Sequence, residues 1–185
     1  QKYGIDENSD EYILNNIHKI ININDTIANN IVLDSIKDYS NSLDMAESIF
    51  ETNKTFLSSI LGPDISAQKH ANIVFQYPLS KRNSELHYDS PPNSRHELVA
   101  WAPLVDCYDT KSFYVIEKEE SYKLYQQYQN DTSIKSWEDL KQRARAQSKN
   151  IEIKYGEVLY FSANLFHGSE INLTEESRWA LNTRI

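Results

Sequence analysis

The chain has 185 residues, a formal net charge of −8 and a sequence pI near 5.1. That length suits one domain with a proper core, since a domain of this size buries roughly 70% of its unfolded surface, and the acidity argues against a nucleic-acid partner, whose phosphates call for a basic stripe. One cysteine, Cys107, excludes an intramolecular disulfide and fits a reducing cytoplasm; no apolar run is long enough to span a membrane and no leader is evident, although the chain begins with Gln1 rather than Met.

In chain order, the first sixty residues read as helical, with Ile13, Leu14, Ile17, Ile20 and Ile21 at helical spacing. A second helix is predicted from about Ser42 to Leu61. It carries Leu43, Ala46, Ile49, Phe50, Leu57 and Ile60 on one side and is stopped by Gly62-Pro63. Residues 1–65 thus form an expected helical buttress. From His70 the period changes to two, and 71–77, 85–88, 98–105 and 112–116 are short strand candidates. Residues 118–149 then interrupt them with a helical insertion. Within it Ser136-Trp-Glu-Asp139 has the form of a helix start, with an N-cap Ser and acids in the first turn. Strands resume at Tyr155-Gly-Glu-Val-Leu-Tyr-Phe161, continue at His167 and finish with Arg178-Trp-Ala-Leu-Asn-Thr-Arg-Ile185. Many short antiparallel strands preceded by helices predict a mainly β fold with flanking helices. The expected form is a double-stranded β-helix, the cupin-like jelly roll, with its core over 70–185 of a single domain, 1–185.

His87, Asp89 and His167 are the most informative residues. In a strand, residues i and i+2 share a face, so His87 and Asp89 can reach one ion. A distant His completes two neutral imidazoles and one carboxylate, a set that holds Fe(II) and leaves positions open for a co-substrate and dioxygen. Taken alone, His-x-Asp is equally a polar turn before Pro91-Pro92. Among the other histidines, His18 reads as a boundary residue, His70 opens a strand and His96 is near enough in sequence to touch the site. Arg178 follows His167 by eleven residues (178 − 167), which can put it one strand over, where its planar fork suits a carboxylate.

His87-Tyr-Asp89, Leu98-Val-Ala-Trp-Ala-Pro-Leu-Val-Asp106, Gly156-Glu-Val-Leu-Tyr-Phe161, His167-Gly-Ser169, Asn172 and Arg178 together resemble the phytanoyl-CoA dioxygenase-like Fe(II)/2-oxoglutarate oxygenases. The likeness is greatest to the bacterial branch of carbohydrate and aminoglycoside clusters, related to a streptomycin-biosynthesis oxygenase, and runs from about His70 to Ile185. It implies that His87, Asp89 and His167 bind Fe(II). It further implies that 2-oxoglutarate chelates the ion while Arg178 holds its far carboxylate, and that dioxygen oxidises a small-molecule substrate such as a sugar. Gln76 and Tyr114 are candidate hydrogen-bond partners of the co-substrate. Asp89 favours hydroxylation, because halogenating members have a small residue there. Where the family usually has a Gly-rich turn, this chain has Lys111-Ser-Phe-Tyr-Val-Ile-Glu117, so the substrate side is expected to differ. The insertion is expected to form a flap beside the iron pocket, with Tyr122, Tyr125, Tyr128 and Trp137 stacking on a ring or docking the helix. Arg82, Arg95, Arg143 and Arg145 meet an acidic substrate group or form a solvated face. Trp101 reads as core. Arg184 competes with Arg178 for the clamp, and the Arg178/Arg184 pair also resembles the nucleic-acid demethylase branch. A catalytically inactive cupin-like binding protein is the reading from another class; a sugar epimerase needs neither Arg178 nor Asp89. The sequence fixes no oligomeric state.

Overall fold

A computed structural model describes residues 9–22, 24–81, 83–89, 96–130 and 133–185. Arg82, Pro91, Pro92 and Arg95 lie outside the described residues.

Three helices open the described chain: α1 (Asp10–Asn16), α2 (Thr26–Ser42) and α3 (Met45–Leu61). Side-chain caps start the first two. Ser9 accepts from the Tyr12 N–H, and Asp25 accepts from those of Ile27 and Ala28. α3 ends at Gly62, whose φ of 95° is open to glycine and costly for other residues. The helix expected from Ser42 therefore begins at Met45, and α2 precedes it as a separate element.

The strands are β1 (Asn72–Gln76), β2 (Leu98–Pro103), β3 (Tyr114–Val115), β4 (Lys149–Asn150), β5 (Leu159–Ser162), β6 (His167–Gly168) and β7 (Arg178–Arg184). They form two antiparallel sheets. The larger has the order β1-β7-β2-β5 and the smaller β4-β3-β6. His87 pairs with His167 on the free side of β6, which adds the His87 segment to the small sheet as its far edge.

Strand alternation decides which side chains lie between the sheets. Val99, Trp101, Phe161 and Ala180 from the large sheet pack there with Phe113 and Cys107, and the Trp101 and Phe113 rings stand 4.7 Å apart. Trp101 is thus a core residue, as read. Because Ala180 faces inward, Arg178, Asn182 and Arg184 share that face of β7, while Trp179 and Leu181 face out. Leu181 packs with Ala46 of α3, and Trp179 stacks on Phe75.

Beyond the small sheet lie α4 (Lys118–Asn130) and α5 (Trp137–Gln147). Leu124, Leu140 and Ala144 bury themselves against Leu86, Tyr114, Ile116 and Phe166 on the sheet's outer face. The predicted start of α5 is present, with Ser136 Oγ accepting from the Asp139 N–H at 3.1 Å. Helices thus cover the outside of both sheets. Among the described residues no helix is long and apolar enough to cross a membrane.

Candidate metal centre

His87 and His167 exchange backbone hydrogen bonds in both directions, N–H to C=O at 2.9 Å each. Residues paired this way put their side chains on the same face, and the two imidazole centroids lie 4.2 Å apart. Asp89, two residues on, returns to that face while its N–H donates to the Ala163 carbonyl at 3.0 Å. One ligand atom from each of the three residues lies within 4.8 Å of the others. The Asp89 carboxylate stands 3.9 Å from His87 Nε2 and 3.7 Å from His167 Nε2.

The imidazole orientations suit ligation. His87 Nδ1 lies 2.7 Å from the Glu85 carbonyl and His167 Nδ1 lies 2.9 Å from the Leu165 carbonyl. A carbonyl can only accept, so each Nδ1 carries the hydrogen and each Nε2 presents a lone pair. Burial and the neighbouring His87 pull the His167 pKa down to about 4, which keeps the ring neutral at physiological pH. Gly168 leaves room for this arrangement. A Cβ there would stand 2.6 Å from Tyr114 Oη and 3.1 Å from the Glu85 backbone.

Two further residues, which motif reading did not assign to the centre, complete it. Arg184 Nη2 lies 3.1 Å from Asp89 Oδ2, and Arg184 Nε lies 3.5 Å from Glu97 Oε1. The first contact is an ion pair without an aligned hydrogen bond. The even spacing of Arg178 and Arg184, which puts both on one face of a strand, is the signal that could have found Arg184. No comparable signal marks Glu97, which stands one residue before β2.

At the other end of the same face, Arg178 is 3% exposed. Its Nη1 donates to the Ser112 carbonyl at 2.8 Å and its Nε has no hydrogen-bond partner. Burial lowers its pKa from the usual guanidinium value. Among the described residues no carboxylate comes within ion-pair distance of it. Gln76 is its cross-strand partner, donates from Nε2 to the Glu170 carbonyl at 2.5 Å, and has an unpartnered buried Oε1. Tyr114 departs from the expectation that it faces the pocket. Val115 is paired with His167, so Tyr114 is paired with Gly168 and points to the opposite face, among the residues that receive α4 and α5.

The comparisons with known proteins bear on this geometry. No family model matches the chain, and no curated protein matches it. Solved structures share its fold. EvdO2 from Micromonospora carbonacea var. aurantiaca superposes with a TM-score of 0.54 at 12% identity, over 80% of this chain and 63% of that one. ThoJ, a non-heme monooxygenase solved as its nickel complex, gives 0.51 at 16% identity, over 69% and 46%. AviO1 from Streptomyces viridochromogenes Tue57 gives 0.50 at 12% identity, over 70% and 54%. The chain therefore spans only about half to two thirds of the length of these proteins.

The insertion sits behind the metal centre, which corrects the expected flap. Its apolar stripe buries on the outer face of the small sheet, with Tyr128 and Trp137 packed into that cluster. Tyr122 and Tyr125 are exposed and line a cavity of about 590 Å³ with Tyr88 and Phe166. A cavity of about 740 Å³ lies between α5 and the same face. Its cations are already paired, Arg145 with Glu170 through two contacts of 2.8 and 2.7 Å and Lys141 with Glu85 and Glu138. Arg143 pairs with Asp139. Arg143 and Arg145 therefore serve the helix and its docking. Cys107 is buried, and burial pushes its thiol up to about 12, so it behaves as a core residue.

Proposed function

We propose that this chain is the oxygenase portion of an Fe(II)- and 2-oxoglutarate-dependent enzyme that oxidises a small molecule, built on a double-stranded β-helix. The carrying observation is the pairing of two features on the inner faces of the sheets. One is a His87/Asp89/His167 constellation with both Nε2 lone pairs free; the other is a buried Arg178 that lacks a carboxylate. An isolated buried guanidinium is costly, and a dicarboxylate co-substrate would complete it. The naming of ThoJ as a non-heme monooxygenase, bound to nickel, supports the same reading, as does the likeness of the chain's motifs to the phytanoyl-CoA dioxygenase-like enzymes.

His87, Asp89 and His167 would hold the metal, and Arg178, with Gln76 beside it, would receive the far carboxylate of 2-oxoglutarate. When bound, Fe(II) and 2-oxoglutarate supply the activation of dioxygen. The protein's own contribution is orientation and dryness. The Glu85 and Leu165 carbonyls fix the two imidazoles, and the burial of His167 keeps it neutral and ready to ligate. Phe161, edge-on to His167 at 5.1 Å, excludes water on that side. Arg178 supplies positive charge and a planar fork at a distance from the ion, so the co-substrate binds in one direction. Asp89 as a carboxylate ligand favours hydroxylation of the substrate, for which a sugar or sugar-derived metabolite is our candidate. The site of action would be the cytoplasm.

Anaerobic titration with Fe(II) and 2-oxoglutarate followed by oxygen tests this reading. We expect a visible metal-to-ligand charge-transfer band on adding 2-oxoglutarate, then succinate on exposure to oxygen. Stoichiometric binding of both without any succinate would favour a binding protein. No metal binding at all would sink the proposal.

A further inference from the structure

Arg184 enters the sequence reading as a rival for the co-substrate carboxylate, yet it stands among acids that belong to the protein. Its Nη2 is 3.1 Å from Asp89 Oδ2, its Nε is 3.5 Å from Glu97 Oε1, and its Nη1 donates to Asn182 Oδ1. These groups are sheltered: the side chains of Asp89, Arg184 and Glu97 are 18%, 23% and 8% exposed. An ion pair there is screened less than one on the open surface.

The backbone closes the same circuit. The Asp89 N–H donates to the Ala163 carbonyl, and the Ala163 N–H donates to the carbonyl of Glu97 at 3.1 Å. Asp89 and Glu97 thus flank one residue, and one guanidinium joins their carboxylates. Arg184 itself is held in register with Val99, and the next residue, Ile185, exchanges backbone hydrogen bonds with Leu98 in both directions. Its side chain therefore projects from a fixed point on the large sheet to a ligand carried by the small one. We infer that Arg184 is a positioning residue for the metal centre, holding the Asp89 carboxylate across the sandwich, with Glu97 bracing the guanidinium. This rests on the reading of His87, Asp89 and His167 as metal ligands.

The physical consequence is specific. A carboxylate two bonds from its backbone can rotate, and a rotated Asp89 no longer meets the two Nε2 atoms. A guanidinium on Oδ2 removes that freedom and also withdraws charge from the ligand. Residues that orient a metal ligand in this way typically account for 10- to 100-fold in metal affinity. Lysine keeps the charge but presents it from one donor centre rather than from a planar fork, so it cannot reproduce the two directions in which the guanidinium meets Asp89 and Glu97.

Cobalt(II) added to the metal-free protein is a suitable probe, since its visible bands report coordination number and ligand geometry. We expect Arg184→Gln to weaken cobalt binding about 10- to 100-fold and to alter the bands. Arg184→Lys should recover part of both effects, and Glu97→Gln should produce a smaller change in the same direction. With cobalt saturating, 2-oxoglutarate should bind the Arg184→Gln variant within a few-fold of the parent protein. A folded Arg184→Gln variant with parental affinity and bands overturns the inference. So does a variant that keeps its metal and loses 2-oxoglutarate, since Arg184 would then be the clamp. Should Arg184→Gln not fold, the bands of Arg184→Lys and Glu97→Gln decide, and two unchanged spectra overturn it. Failure of the parent protein to bind cobalt or iron at all would instead overturn the metal-centre reading itself.

Discussion

The two ends of β7 carry the same residue type on the same inward face and treat it in opposite ways. At the Arg184 end the guanidinium meets Asp89 and Glu97, so the charge is answered within the protein. At the Arg178 end the guanidinium is almost fully buried, donates to one backbone carbonyl and leaves Nε without a partner. With a rise of roughly 3.3 Å per residue, six positions put their Cα atoms about 20 Å apart, so the two environments are independent. One end is complete as it stands. The other leaves a buried charge without a carboxylate among the described residues.

The largest expected effect lies at the ligands themselves. His87→Ala, Asp89→Ala and His167→Ala should each abolish stoichiometric Fe(II) binding, as followed by equilibrium dialysis, while circular dichroism stays native. Full iron loading in all three variants would remove the centre from the comparison.

Next comes the unanswered end. Arg178→Lys keeps the charge and loses the two-donor fork, so 2-oxoglutarate should bind more weakly by about 1.5–3 kcal/mol, the scale of one charged hydrogen bond. Arg184→Lys should change that affinity far less once metal is saturating. Calorimetric titration of 2-oxoglutarate into the metal-loaded variants measures both, and the reverse ranking would exchange the roles of the two ends.

A third test uses stability without any ligand. Replacing an uncompensated buried charge with an apolar residue of similar volume removes its desolvation cost. Arg178→Met should therefore raise the urea midpoint of the metal-free protein, whereas Arg184→Met, which strips two carboxylates of their partner, should lower it. Two changes of the same sign would show that the ends are not distinct.

The last test is a pH slope. His167 has a folded pKa of about 4, below its ordinary value of 6.5. Between those values the unfolded chain binds the proton and the folded chain does not, so stability is complete above about 6.5 and is lost as pH falls toward 4. Denaturant unfolding of the metal-free protein between pH 7.5 and 4.5 should show this loss, and His167→Asn should flatten it. An equal slope in both proteins would assign the dependence elsewhere.

The parts of the molecule visible in its sequence are those where chemistry and period coincide. β1, β2 and β7 were legible because each is a short run rich in β-branched, aromatic and small apolar residues bounded by polar ones, and the His87/Asp89/His167 grouping because His-x-Asp puts two side chains on one face in an extended segment. α2 fell within the stretch read as helical but was not set off as an element of its own, for a physical reason. Its buried residues are Asn29 and Ser40, while Ile27, Ile31 and Tyr39 are exposed, so no apolar stripe of the usual kind marks its inner side. β4 is Lys149–Asn150, two polar residues held by pairing with β3 and by the Asn150 amide donating to the Asp109 carbonyl. Tyr114 was placed on the wrong face because a two-residue strand contains too little alternation to set its phase. Its pairing with Gly168, more than fifty positions away, sets it instead. Lys111 shows the same limit. A lysine is ordinarily exposed, yet Lys111 is wholly buried between Asn15 and Glu176, at 2.6 and 2.7 Å, because α1 closes over it.

The reciprocal hydrogen bonds between His87 and His167 have a consequence for folding. The two histidines are separated by about eighty residues, and the segment joining them contains β2, β3, β4, β5 and both helices of the insertion. The ligands can meet only after that whole segment has found its place, and a slip of one residue between the paired segments would turn an imidazole toward α4 and α5. If the site binds metal as proposed, metal affinity reports strand registration as well as chemistry. During refolding, capture of a metal ion should coincide with the last long-range pairing rather than with the first appearance of helical signal, and a bound ion should act mainly by slowing the reopening of that one pair.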